Sequence, residues 1–523
     1  MGDVVINRAH GYFTGTDYVS EFYNQYDPRN LDLVRFLNRL KPVSTSANFR
    51  YCELGCGHGL TSITLAACYP EAEFFANDLL PAHIVSAKAL KDQLGLNNLT
   101  FLEADFEQLL AQDYEPFDYI ISHGVYSWVM EYQKSLIRQF VDANLATNGV
   151  FAFSYNCKAG WSEIENIVEL LRLAVTRISD FDTPDVSAKI LQQTKQLFHL
   201  NKGFLSAKSR ASHHLQQLIR HDTELKYLLH EYANTGWRSL HVSEVMEDMA
   251  ELGLSYSGSI NLLDNMDMLL DDEIQGAMDS LETNAEREMI KDLALNKTFR
   301  TDIYGKNNHQ LHRESLDDLD EHHATCVLML LKDKASWEFD EPVKHYGNIL
   351  HEERHGPLLE FVAQGGKSIH ECYEFGIGRG HSLEATQQDL MILIGADYIG
   401  LLTKHPPDFS HYDRINQQLS QLVIDKKPGI RFLLSPYTRT TVPVTVTDCL
   451  FYRTGIFDDA QKLATTALEY CEQNSVEVLS NEGQRLEGVA LKSTMRVLAR
   501  EFIDRKLASF RYFGLLYGDA ERL

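Results

Sequence analysis

The sequence predicts a doubly wound, Rossmann-like α/β sheet carrying a helical insertion, followed by mixed α+β C-terminal domains for which a winged-helix form is one option. Three observations carry this. From about residue 49 to 156, short apolar runs alternate with segments of helical periodicity; a turn with three glycines follows the first run; and acidic residues stand at the ends of the first three runs.

Taken in order, the candidate strands are 50–54, 73–77, 99–103, 119–122 and 150–154. They recur every ~20 to 30 residues, the spacing that strand-helix-strand units require. Between 161 and 234 the pattern turns helical, with Ile167, Leu170, Leu171 and Val175 three or four apart, which reads as an insertion or lid. After a helix rich in Glu and Met, residues 253–260 read as a strand, and 299–304 supply the last strand of the same sheet. The acid-dense stretch 264–292 reads as a solvated helical surface. The expected organisation is therefore a core at 1–160, a helical insertion at 161–235, a segment completing the sheet at 236–305, a middle domain at 306–405 and a C-terminal domain at 406–523. The last two divide near Lys404-His405-Pro406-Pro407.

Composition narrows the class. A chain of 523 residues exceeds what one core normally fills. Its 49 basic and 74 acidic residues give a formal charge of -25, which repels phosphate backbones and argues against nucleic acid as a partner. The same charge suits a cationic acceptor such as a lysine-rich protein surface, although surface acid also serves solubility. The eight cysteines include no Cys-x-x-Cys pair, so reduced thiols and a cytoplasmic setting are expected. No apolar run reaches the ~20 residues that span a bilayer, and Met1 to Ile6 lack a basic region followed by an apolar stretch, so no membrane partner is expected.

The strongest local signal is Glu53-Leu54-Gly55-Cys56-Gly57-His58-Gly59. A dinucleotide fingerprint would place its third glycine three residues after the second; here it comes two after. With an acid ahead of the first glycine, this spacing suits a methionine moiety bearing an ammonium and no phosphate. Asp78, followed by Leu79, ends the second strand, where a carboxylate accepts from both ribose hydroxyls; Asp105, followed by Phe106, ends the third, placed for the adenine amino group. Each acid alone also fits an ordinary strand end or helix cap.

Residues 18–156 resemble class I S-adenosylmethionine-dependent methyltransferases. Tyr23-Asn24-Gln25-Tyr26-Asp27-Pro28, His123-Gly124-Val125-Tyr126-Ser127-Trp128-Val129, Ser154-Tyr155-Asn156 and Gly160-Trp161 narrow the likeness to those with a methyltransferase regulatory domain. That group includes the rickettsial-type lysine methyltransferases of outer-membrane protein. Tyr227 to Tyr232 and Phe299-Arg300 extend it to about residue 305. The resemblance implies S-adenosylmethionine as cofactor and a protein lysine as acceptor. Two departures stand out: Ala159 occupies a position where the family usually has proline, and the segment around Tyr18, a candidate cofactor contact, is looser than the family pattern.

Methyl transfer to an amine needs a neutral nitrogen aligned ~3 Å from the methyl carbon, and an apolar aromatic pocket promotes loss of the ammonium proton. Tyr126, Trp128, Tyr155 and Trp161 follow the fourth and fifth strands and either line such a pocket or pack beneath the insertion. His123 is a candidate base, or holds the methionine end through its backbone; Asn156 is a candidate hydrogen-bond acceptor for the nucleophile. A second glycine motif at 374–380 is read as a loop, and the histidine tracts at 309–312, 322–323 and 351–355 as exposed, with no metal expected. Two rivals remain: a small-molecule or glycan methyltransferase, and a non-catalytic scaffold or sensor binding the same cofactor. A homodimer is left open.

Overall fold

The computed structural model describes residues 20–43, 48–176, 236–307, 326–332, 334–343, 346–403, 408–478 and 485–516, plus a few isolated positions. Most of the expected insertion, Tyr18, the segment 227–232, the histidine tracts at 309–312 and 322–323 and the boundary at 404–407 lie outside the described residues.

Seven strands form one sheet. β1 (Arg50–Leu54), β2 (Glu73–Asp78), β3 (Leu99–Glu103), β4 (Phe117–Ser122) and β5 (Leu145–Asn156) run parallel. β6 (Leu254–Ser259) and β7 (Phe299–Lys306) complete the sheet in the order β3-β2-β1-β4-β5-β7-β6, with β7 antiparallel to both neighbours. This is the doubly wound sheet that the alternating pattern predicts. The order reverses beside β1, so the crevice at the carboxyl ends of β1 and β4 is where such a fold binds ligands.

The flanking helices include α1 (Pro28–Leu37), α2 (Leu60–Cys68), α3 (Pro81–Leu94), α4 (Phe106–Leu110), α5 (Glu131–Asn144), α6 (Val242–Ala250) and α7 (Asn284–Ala294). α3 is punctuated by Pro81 at its start and by Gly95 at φ 65° past its end. All nine residues of α2 are buried, because its sequence is apolar or small on every side and a second layer covers its outer face. That layer comes from the C-terminal half. There β9 (Lys367–Ser368), β8 (Val327–Leu330) and β10 (Ile399–Leu402) form an antiparallel sheet, and β11 (Phe432–Ser435) pairs with β12 (Thr440–Pro443).

The long helix α10 (Phe409–Ile424) crosses the ends of α2 and α3, preceded by α8 (Ile369–Gly378) and α9 (Leu383–Gly395). His411 donates from Nε2 to Ala67 O at 2.8 Å, Tyr412 from its hydroxyl to Cys68 O at 2.8 Å, and Arg414 from Nη1 to Leu94 O at 2.7 Å. Helix C-termini leave carbonyls without intrahelical partners, and the C-terminal half supplies donors to them. One apolar cluster runs from Tyr26 through α2 and α3 to Leu515, taking in residues of both stretches expected as separate C-terminal domains.

Three expectations are corrected. The acidic stretch is not simply a solvated surface: Glu288 and Asp292 of α7 are buried and face Arg300 of β7, which is 2% exposed. Arg300 reaches Glu288 at 2.8 Å, Asp292 at 2.6 Å and Asp302 at 2.9 Å. The second glycine motif is not a loop but the end of α8, a helix begun by a Ser368–Glu371 capping box, where Gly376 lies tight against Thr386. His355 is buried rather than exposed, facing Asp389.

Among the described residues no helix is long and apolar enough to cross a membrane, and no group of side chains is placed to hold a metal ion. None of the eight cysteines is in a disulfide.

Candidate cofactor site

A cleft enclosing about 1250 Å³, part of it open to solvent, lies at the carboxyl ends of β1, β2 and β4. It is lined by the glycine turn, by Asp78 and Leu79, by Asp105 and Phe106, and by His123 and Trp128.

The turn is built by glycines that no other residue replaces without strain. Gly55 holds φ 73°, and a Cβ there would come 2.5 Å from Val125 Cγ2. Gly59, at φ 69°, would press on Phe101; it serves the packing of the turn and does not line the cleft, contrary to its expected contact role. Gly55→Ala is therefore expected to lower cofactor affinity about tenfold or more in calorimetry, since φ strain and the clash both fall on the cradle. Cys56 lines the cleft with its thiol pushed far up by burial, a neutral wall rather than a nucleophile.

The three acids differ. Glu53 is 4% exposed, and burial pushes it up to about 7, against the pull of the Ser62 hydroxyl and N–H that it accepts from. Asp78 Oδ2 accepts from Gly57 N–H at 2.9 Å and Oδ1 from Leu80 N–H at 2.9 Å, so the carboxylate ties the glycine turn to the end of β2. Asp105 Oδ1 accepts from Gln108 N–H at 2.8 Å as the cap of α4, and the residue also lines the cleft. Cap and cleft wall are the same residue. An open turn beside a carboxylate, with a second acid beyond, fits an adenosyl ligand bearing an amino-acid tail.

The fourth strand's loop brings His123 and Trp128 to the cleft but not Tyr126. Tyr126 is fully buried on the opposite side, where its hydroxyl donates to Asp248 at 2.9 Å. Tyr155 is likewise turned away, its hydroxyl donating to Asp302 at 2.6 Å. Strand alternation is the reason: Phe151, Phe153 and Tyr155 share one face of β5, so Ser154 faces the site. Asn156 is on the same face as Ser154, buried, with Nδ2 lacking a protein partner, yet it does not line the cleft. Trp161 stacks edge-on against Trp237 and donates from Nε1 to Thr298 O, also away from the cleft.

His123 Nδ1 lies 3.0 Å from both the Tyr26 and Ser154 hydroxyls. Burial pulls the imidazole down to about 4, so it is neutral near pH 7. Tyr23 packs 3.8 Å from its ring and Phe299, 40% exposed, 5.9 Å from it. Tyr23, His58 and His83 line the cleft and were missed in the sequence. Tyr23 belongs to the Tyr23-to-Pro28 segment that carries the family resemblance; nothing local marks His83, five residues past Asp78.

Residues 45–237 match a methyltransferase domain family and 224–306 match a predicted methyltransferase regulatory domain. An uncharacterised protein of Synechocystis, sll1526, is 30% identical over 391 residues, covering 74% of this chain and 76% of that protein. A malonyl-[acyl-carrier protein] O-methyltransferase of Bacillus cytotoxicus is 32% identical over 134 residues, 25% of this chain and 45% of that one. Among solved structures, PKMT2 from Rickettsia typhi in complex with AdoHcy superposes with a TM-score of 0.67 at 17% identity, covering 96% of this chain and 100% of that one. The chain belongs to the S-adenosylmethionine-dependent class I methyltransferases that carry a methyltransferase regulatory domain.

Proposed function

We propose that this methyltransferase acts on lysine side-chain amines of a protein. The observation that carries this is the aromatic frame of Tyr23, neutral His123 and half-exposed Phe299 beside the cofactor cleft. Such a frame attracts an arriving cation and then penalises its charge, favouring the neutral amine that must react. The bound cofactor supplies an electrophilic methyl group; the chain supplies alignment and exclusion of water. Glu53, Asp78 and the glycine turn hold the ligand, with Asp105 and Phe106 at its adenine end and Trp128 closing the wall.

His123 in this reading positions and does not take the proton. A ring held at about 4 is far too weak a base for an ammonium of pKa about 10.4. The proton therefore leaves to solvent before transfer. The acceptor approaches between the first half and the residues after 305. A crevice lined by Asn24, Gln25, Asn261, Thr438 and Thr440 lies between these parts. The -25 charge of the chain favours a basic partner.

Incubation of the protein with methyl-labelled cofactor, lysine-rich proteins and small carboxylate or amine acceptors, followed by mass spectrometry, tests the assignment. Label on lysine is expected. Label confined to small acceptors would replace it with the small-molecule reading, and tight cofactor binding without turnover would support the scaffold reading. The rate is further expected to rise with pH between 6 and 9 through the acceptor amine, and His123→Asn to leave that profile's shape unchanged. An inflection that vanishes in the variant would restore the base role.

A further inference from the structure

Asp78 is not alone at the end of β2. His83, in the first turn of α3, is 3% exposed, and its Nδ1 lies 3.1 Å from Asp78 Oδ1. A carboxylate oxygen accepts, so Nδ1 is the donor in this contact, which leaves Nε2 as the ring atom that can accept from a ligand. Nε2 is buried and has no protein hydrogen-bond partner. The ring lines the cleft, 4.5 Å from that of His58 in the glycine turn. Buried polar atoms are normally paired, so an orphan in a ligand cleft points to a ligand.

Counting lone pairs sharpens the point. A carboxylate offers about four acceptor sites. In Asp78 three are taken, by the N–H groups of Gly57 and Leu80 and by His83 Nδ1. One site remains, and a ribose presents two hydroxyls.

We propose that Asp78 and His83 form one ribose-recognition pair, in which Nδ1–H fixes the carboxylate and Nε2 accepts a hydrogen bond from the second hydroxyl. The inference rests on the assignment of this cleft to the adenosyl ligand and adds a binding residue to it. It divides the labour between two acceptors where the carboxylate alone has capacity for one.

Calorimetry of the full chain with S-adenosylhomocysteine and its 2′-deoxy and 3′-deoxy analogues tests it. Wild type is expected to bind both deoxy ligands more weakly than the parent. His83→Asn keeps a donor toward Asp78 but removes the Nε2 acceptor; it is expected to bind the parent about tenfold more weakly while binding one deoxy analogue as wild type does. His83→Gln, whose amide oxygen reaches the Nε2 position but which has no donor toward Asp78, is expected to bind all three ligands more weakly while keeping the wild-type discrimination against that deoxy analogue; where the asparagine variant does not fold, equal binding of the parent and that analogue by His83→Gln overturns the pair. Unchanged parent affinity in His83→Asn, or an equal loss in that variant on all three ligands, overturns the pair while leaving the cleft assignment standing. Failure of wild type to bind the parent at all overturns the assignment and the pair together.

Discussion

Arg300→Met is expected to destabilise the protein by about 3 to 5 kcal/mol in denaturant unfolding, the cost of leaving buried carboxylates without their cation. Glu288, Asp292 and Asp302 all contact this guanidinium, and among the described residues only Glu288 has another buried cation, Lys291, at 2.7 Å. The loss reaches the site's surroundings. β7 begins at Phe299, which faces His123, and Asp292 also accepts from the Cys157 thiol just after β5. The pH dependence has a defined sign. Burial pushes the Glu288 carboxyl up, but Arg300 and Lys291 outweigh it and hold the group at about 2, below its usual 4.5. A group depressed in the folded state contributes stability above its unfolded pKa and loses it as pH falls through the folded value. Wild type should therefore lose this contribution between about pH 4.5 and 2, and Arg300→Met should show a shallower decline across that window. A variant as stable as wild type at pH 7 would show that the cluster is not what joins β7 to α7.

Asp78→Ala is expected to weaken S-adenosylhomocysteine binding by about 1 to 3 kcal/mol, measured by calorimetry, with the result near the upper end. The upper end follows from the structure: the carboxylate anchors the N–H groups of Gly57 and Leu80 as well as facing the ligand, so its removal loosens the cradle it contacts. Asp78→Asn keeps the shape and should fall between. Unchanged affinity in Asp78→Ala would remove the residue from the site.

The sheet was legible because its signals are local and periodic. Runs at 50–54, 73–77 and 99–103 are strands of the sheet, and Gly55, Gly57 and Gly59 all take the positive φ of an open turn. Of the two placements open to Tyr155, the period of two selects packing away from the site, since it sends Tyr155 with Phe151 and Phe153. The Arg300 cluster was hidden because composition cannot say which acids of 264–292 turn inward. His83 was hidden because only the fold puts its ring against Asp78. The docking of α10 on α2 joins residues more than three hundred positions apart, beyond any window of periodicity.

The covering of α2 by the C-terminal half carries a consequence for how the enzyme can be dissected. The helix that opens from the glycine turn ends on donors supplied by His411 and Tyr412, and its outer face is apolar. A fragment cut after the seventh strand would bare that apolar face to water, so the stability of the methyl-donor site in this polypeptide is tied to its distal half.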